Sequence, residues 1–141
     1  MEIEGEPFEF ETLNLVGGGS GITPLYQLIH AILKTPDDNT KIYLLMSNKT
    51  PADTLMLNTF EKLASEHKDQ FHPWFTVSKA DNKWEYSEGR LDEAMMKKYL
   101  HDASDKKTGS FLCGPPGLIE KGVKPVLTKW GAKDGENLFG F

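Results

Sequence analysis

The sequence predicts a three-layer α/β fold: a doubly wound, parallel five-stranded sheet in the order 3-2-1-4-5, with helices on both faces. Three observations predict it. Apolar, strand-like runs alternate with stretches of helical periodicity along the chain. Two of the strand ends break into glycine-proline turns, Gly17-Gly18-Gly19-Ser20-Gly21-Ile22-Thr23-Pro24 and Cys113-Gly114-Pro115-Pro116, each followed by an apolar helical pattern. At 141 residues, one domain buries a sufficient core without disulfide staples.

The expected strands are residues 12–16, 41–47, 72–78, 110–113 and 137–141. Between them, Ile22, Leu25, Leu28, Ile29, Ile32 and Leu33 recur at three- and four-residue spacing, as do Ile119, Val123, Val126, Leu127 and Trp130. Weaker helical patterns cover residues 55–67 and 91–100. Thr23 suits an N-cap with Pro24 at the first helical position, and Pro115-Pro116 suit the opening of the last helix. Pro125 falls inside that helix, where it removes a backbone donor and predicts a kink. Residues 79–90 read as one long surface loop.

Composition excludes several function classes. Sixteen Lys and Arg against 21 Asp and Glu leave a net charge of −5, which argues against nucleic acid as a partner. One cysteine forbids an internal disulfide, and no His/Cys spacing suits zinc, so a cytoplasmic setting is expected. No apolar run approaches the ~18 residues a membrane span needs. Membrane contact, on the cytosolic face, is expected only if a parent protein carries an anchor.

The first turn lets bare backbone approach a phosphate at the positive end of a helix dipole, although a tight turn without ligand has the same pattern. It departs from the usual dinucleotide fingerprint: Ile22 stands where the third glycine belongs, and the second strand ends in Ser47-Asn48-Lys49 rather than in an acid. An ordinary dehydrogenase is thus disfavoured, and so is a P-loop, because no Lys-Ser or Lys-Thr follows the glycines. The strand order makes the ends at Val16 and Cys113 neighbours across the switch point, so that both helix starts point at one crevice with Cys113 at its rim. Taken alone, Cys113 also fits a buried, inert strand residue. His30, His67, His72 and His101 lie away from both turns in sequence, which favours a thiol set against a flat cofactor ring over a Cys-His nucleophile.

Gly-Gly-x-x-Gly-Ile-Thr-Pro, Asn48-Lys49-Thr50, Trp84-x-Tyr86-x-x-Gly89, Cys113-Gly114-Pro115-Pro116 and the C-terminal Phe141 together resemble cytochrome b5 reductase, a module that also closes the assimilatory nitrate reductases. The resemblance spans nearly the whole chain. It implies a ferredoxin reductase-like NAD(P)H-binding domain over residues 12–141, with residues 1–11 as the tail of an upstream FAD-binding domain. It further implies hydride transfer from NADH or NADPH to FAD, then electrons to a haem protein such as cytochrome b5. The family's arginine-, tyrosine- and serine-containing flavin motif is missing here, so FAD belongs to the upstream domain. The rival reading is a non-catalytic nucleotide-binding module that lacks flavin.

Carried over by position, Gly18, Gly19 and Gly21 cradle the pyrophosphate, and Thr23, followed by Pro24, brings a hydroxyl to the cofactor and flavin. Cys113 sits beside the reactive nicotinamide carbon. Gly114, Pro115 and Pro116 form the wall of that pocket, and Phe141 lies near the stacked rings. Asn48, Ser78 and Lys79 complete the cofactor-binding set. One departure concerns the end of the third strand, where NADH-selective members often carry an acid and this chain has Ser78-Lys79, with Lys83 close behind. Serine and lysine accommodate a 2′-phosphate, and a turn with solvated charges fits equally, so the sequence leaves the choice of NADH or NADPH open.

Overall fold

All seven residues of Thr12–Gly18 are buried, and they form a central strand that is hydrogen-bonded to a parallel neighbour on each side. The computed structural model describes residues 2–3, 6–7, 10–19, 22–54, 56–103 and 107–140. Glu2–Ile3 (β1) and Glu6–Pro7 (β2) pair as a short antiparallel hairpin. The main sheet holds β3 (Thr12–Gly18), β4 (Lys41–Asn48), β5 (Phe71–Val77), β6 (Ser87–Glu88), β7 (Thr108–Cys113) and β8 (Leu138–Gly140). Its six strands are all parallel, in the order β6-β5-β4-β3-β7-β8. The expected 3-2-1-4-5 order is present as β5-β4-β3-β7-β8, extended by one edge strand.

Strand alternation splits the core into two layers. Leu13, Leu15, Ile42, Leu44, Met46, Phe75 and Phe111 face α1 (Ile22–Leu33) and α2 (Leu57–Glu66), whose Ile22, Leu25, Ile29, Ile32 and Phe60 close over them. Val16, Leu45, Leu112 and Leu138 face the other way, toward α3 (Glu93–Tyr99) and the last helix, with Met96, Ile119, Val123 and Leu127. Asn14 is fully buried on that side without an unmet bond. Its amide donates to the His101 carbonyl at 2.8 Å and accepts from the His101 N–H at 2.9 Å, which ties the chain after α3 to the central strand.

Three expectations need correction. Residues 79–90 are more than a surface loop, because they hold β6. Aromatic side chains fold the segment onto the sheet edge: the indole N–H groups of Trp74 and Trp84 donate at 2.8 Å to the Ser87 hydroxyl and carbonyl, and the Tyr86 hydroxyl donates to Glu61 at 2.7 Å. The polar composition of the segment hid this. Thr23 does not cap α1, since the helix already includes Ile22, which packs into the core. Pro24 is tolerated there because N–H groups in the first turn lack intrahelical partners.

The last helix also differs from the expected single kinked α-helix. Gly117–Val123 is π-helical and continues directly into α4 (Lys124–Lys129), with Pro125 in the first turn of α4. The Lys124 N–H reaches back five residues to the Ile119 carbonyl. Widening the turn ahead of Pro125 accommodates its missing donor. Among the described residues, no helix is long and apolar enough to cross a membrane, and no cluster of His, Cys, Asp or Glu is placed to hold a metal ion.

Candidate nucleotide-binding site

The carboxyl ends of β3, β4 and β5, and the turn after β7, open on one cleft of about 840 Å³. A doubly wound sheet offers a crevice of this kind where its strand order reverses. Gly18 and Gly19 line it at the end of β3 and just past it, Ser47, Asn48 and Lys49 at the end of β4 and just past it, Ser78 from just past β5, and Arg90 from beyond β6. Pro115, Leu118 and Lys121 line the opposite wall, the last two from one side of the π-helix.

The two glycine-proline turns do meet. Gly17 is the register partner of Cys113, and a Cβ on Gly114 would lie 3.0 Å from the Gly18 nitrogen. A Cβ on Gly18 would be 2.7 Å from the Ser47 carbonyl oxygen and 2.8 Å from Leu118. The turns therefore touch backbone to backbone, with no room for side chains between them. Gly19 has φ +56°, a left-handed conformation that glycine adopts without cost. Its N–H donates at 3.0 Å to Asn48 Oδ1, which holds the turn to the end of β4.

These features suit a nucleotide diphosphate. Nothing lies within 4 Å of where a Cβ would stand on Gly19 or on Gly117, so bare backbone borders the cleft on both walls. Three cations, Lys49, Arg90 and Lys121, line it against one acid, Asp53, in a chain whose net charge is −5. The side chains of all three are without a hydrogen bond or ion pair among the described residues. Asp53 Oδ2 accepts from the Thr50 hydroxyl at 2.8 Å. The volume falls within the range of about 300–1,000 Å³ usual for small-molecule and cofactor sites.

Of the residues singled out from the sequence, Gly18, Gly19, Asn48, Ser78 and Pro115 line the cleft. Lys79 is exposed just outside it, with its N–H bonded to the Lys49 carbonyl at 2.9 Å. Gly114 packs on Gly18, and Pro116 is exposed. Thr23 is exposed and Pro24 half-buried in the first turn of α1; among the described residues α1 contributes none to the lining, whereas the helix after β7 does. Cys113 is half-buried at the end of β7, and burial raises its thiol pKa, which keeps it protonated and neutral near pH 7. Gly21 and Phe141 lie outside the described residues.

Sequence reasoning missed Ser47, Lys49, Ala52, Asp53, Arg90, Leu91, Gly117, Leu118, Lys121 and Gly122. Some left a signal. Arg90 is the chain's single arginine and directly follows the Trp84-x-Tyr86-x-x-Gly89 motif, and Gly117 and Lys121 stand one helical turn apart after the second proline turn. Ala52 and Asp53 enter through a 3₁₀ turn, Pro51–Asp53, that no periodicity announces.

A family profile described as "Oxidoreductase NAD-binding domain" matches residues 15–124. NADH-cytochrome b5 reductase 2 of Candida albicans is 47% identical over 117 residues, which cover 82% of this chain and 38% of that protein. Nitrate reductase [NADH] 2 of Arabidopsis thaliana is 37% identical over 127 residues, covering 90% of this chain and 14% of the relative. The crystal structure of the cytochrome b5 reductase domain of Ulva prolifera nitrate reductase superposes with a TM-score of 0.89 at 37% identity, over 94% of this chain and 49% of that one. The chain thus spans less than half the length of each of these proteins. Sheet order, switch-point cleft and sequence identity agree: the chain belongs to the oxidoreductase NAD-binding domain family, in the branch of the cytochrome b5 reductases and nitrate reductases.

Proposed function

We infer that the chain is the nicotinamide-binding module of a flavin reductase, taking hydride from NADH or NADPH for an FAD held by an upstream domain that passes electrons to a haem protein such as cytochrome b5. The observation that carries this reading is the backbone contact of Gly18 with Gly114 beside the Gly17–Cys113 register pair, which sets a phosphate-accommodating turn next to a thiol. When bound, the nicotinamide supplies a hydride and the flavin converts it to single electrons.

The protein's part is position and electrostatics. Gly18, Gly19 and Gly21 present backbone to the pyrophosphate, and Asn48 keeps that turn in place through the Gly19 N–H. Lys49 and Lys121 offset the charge of the phosphates. Cys113, protonated, fills space beside the nicotinamide without adding a charge, and Gly114, Pro115 and Pro116 shape the wall around it. Thr23 and Pro24, at the start of α1, and Phe141 serve the side that faces the flavin. Residues 1–11 join the module to the FAD domain, and the whole works in the cytosol or on the cytosolic face of a membrane.

Two measurements test this. The parent protein should purify yellow and bleach when NADH or NADPH is added, and a colourless, inert product overturns the reading. In that protein, Cys113→Ser should slow hydride transfer far more than it weakens nucleotide binding; equal losses would reduce Cys113 to a structural role.

A further inference from the structure

The helix after β7 changes its hydrogen-bond register along its length. The Ile119 N–H donates to the Pro115 carbonyl, four residues back, at 3.1 Å, whereas the Lys124 N–H reaches five residues back to the Ile119 carbonyl. By Trp130, whose N–H donates to the Val126 carbonyl at 3.0 Å, the spacing is four again. Five-residue spacing is rare in helices and is found most often at functional sites. Pro125 gives it a local cause here. In an α-helix the Lys121 carbonyl would need the N–H that Pro125 lacks, and the proline ring would press on that same carbonyl. The wide segment, Gly117–Val123, lies directly ahead of Pro125, which falls in the first turn of α4.

This register decides which side chains the cleft receives. Gly117, Leu118, Lys121 and Gly122, all in the π-helical segment, line the cleft, while Ile119 and Val123 pack into the core and Leu127 continues that buried row in α4. The segment is held at both ends. Upstream, Gly114 packs on the Gly18 backbone; downstream, Val123 and Leu127 are fully buried. At about 100° per residue, a return to four-residue spacing would turn the upstream end against α4 by roughly one position, and the lining face would turn with it. We propose that Pro125 is a positioning residue for the nucleotide: it keeps the helix wide, and the wide register sets Leu118 and Lys121 against the cleft. The proposal rests on the nucleotide-binding reading above and adds to it a residue outside the cleft. Pro125 is exposed and lines no part of the cleft, so its effect on binding must pass through the helix.

The test is calorimetric titration of the 141-residue chain with NADH, for the parent, Pro125→Ala, Lys121→Ala and the double variant, with thermal melting of each. Alanine restores the N–H and is the strongest helix former, so Pro125→Ala should melt at or above the parent temperature. Its NADH affinity should nevertheless fall at least about fivefold, and its binding should depend less on salt as Lys121 turns from the phosphates. Lys121→Ala should weaken binding about fivefold in the parent and less than about twofold in Pro125→Ala, because the two changes remove one interaction. Pro125→Gln, which restores the same N–H, should repeat each result. Unchanged NADH affinity in both proline variants would show that core packing holds the wide turn by itself. A Lys121 effect as large as in the parent would show that the register does not set that side chain against the nucleotide. Either result overturns the proposal while the nucleotide-binding function stands. If the parent fails to bind NADH, the nucleotide-binding reading falls and the proposal with it.

Discussion

Gly17 and Cys113 are register partners on adjacent parallel strands, and a Cβ on Gly17 would lie 2.5 Å from the Cys113 carbonyl oxygen. It would also come within 2.9 Å of Leu25 on α1. The first neighbour is backbone and cannot move without shifting β7 and the turn behind it. Gly17→Ala should therefore destabilise the chain by roughly 1–3 kcal/mol, in the range of core overpacking, and should weaken nucleotide binding as the turns separate. Thermal melting and nucleotide titration of the same variant check both, and an unchanged melting temperature would show that the strands yield.

Asn48→Ala removes the side-chain acceptor of the Gly19 N–H and leaves β4 intact. An exposed bond of this type contributes about 0.5–1.5 kcal/mol. The expected outcome is a small drop in stability and a larger loss of nucleotide affinity, because the freed turn must be reordered on binding. Equal affinity in variant and parent would show that the turn is rigid without the bond.

Phe10 joins the segment before β3 to the sheet. Its ring meets Phe111 edge-on at 6.3 Å and Phe139 at 6.2 Å, and those two stack at 5.0 Å. Phe10 is half-buried, so Phe10→Ala should cost about 1–3 kcal/mol, less than the 3–5 of a fully buried phenylalanine. Chemical denaturation measures this directly. A loss below about 0.5 kcal/mol, typical of surface changes, would mean that the ring adds little to the core.

Two neutral acids should each lower stability at alkaline pH. Burial raises the pKa of the Cys113 thiol; burial and the hydrogen bond to Glu61 raise that of Tyr86. The folded chain keeps both protons at pH values where the unfolded chain releases them, so unfolding is favoured as pH rises. Stability should be full below the ordinary thiol range, fall as pH rises through it, and fall further through the ordinary phenol range. Cys113→Ser should remove the first part and Tyr86→Phe the second. Denaturation midpoints between pH 7 and 11 test this, and parallel curves for parent and variants would refute it. Alkylation of Cys113 by iodoacetamide should likewise accelerate only above the pH of an unburied thiol.

The strand order was legible because each β–helix unit carries its own local signal. Apolar runs end in glycine or proline at Val16 and Cys113, and right-handed crossovers leave few ways to pair the strands. Edge strand β6 was not legible. Its pairing depends on Trp74 and Tyr86 packing across elements, and a two-residue strand has no periodicity to detect. The π-helix was equally hidden, since Pro125 signals only a missing donor and not how the backbone accommodates it.

Local chemistry in the chain was enough to specify a doubly wound sheet, its switch point, and the meeting of Gly17–Gly19 with Cys113–Pro116. Helix period, strand alternation and turn residues act over a few positions and survive whatever the rest of the chain does. The charge of the cleft is a different kind of fact. Lys49, Arg90 and Lys121 are far apart in sequence and become neighbours only through the registers of β4 with β5, β5 with β6, and β3 with β7. Register is set by packing over the whole sheet, so folding alone decided that the chain's single arginine borders the cleft.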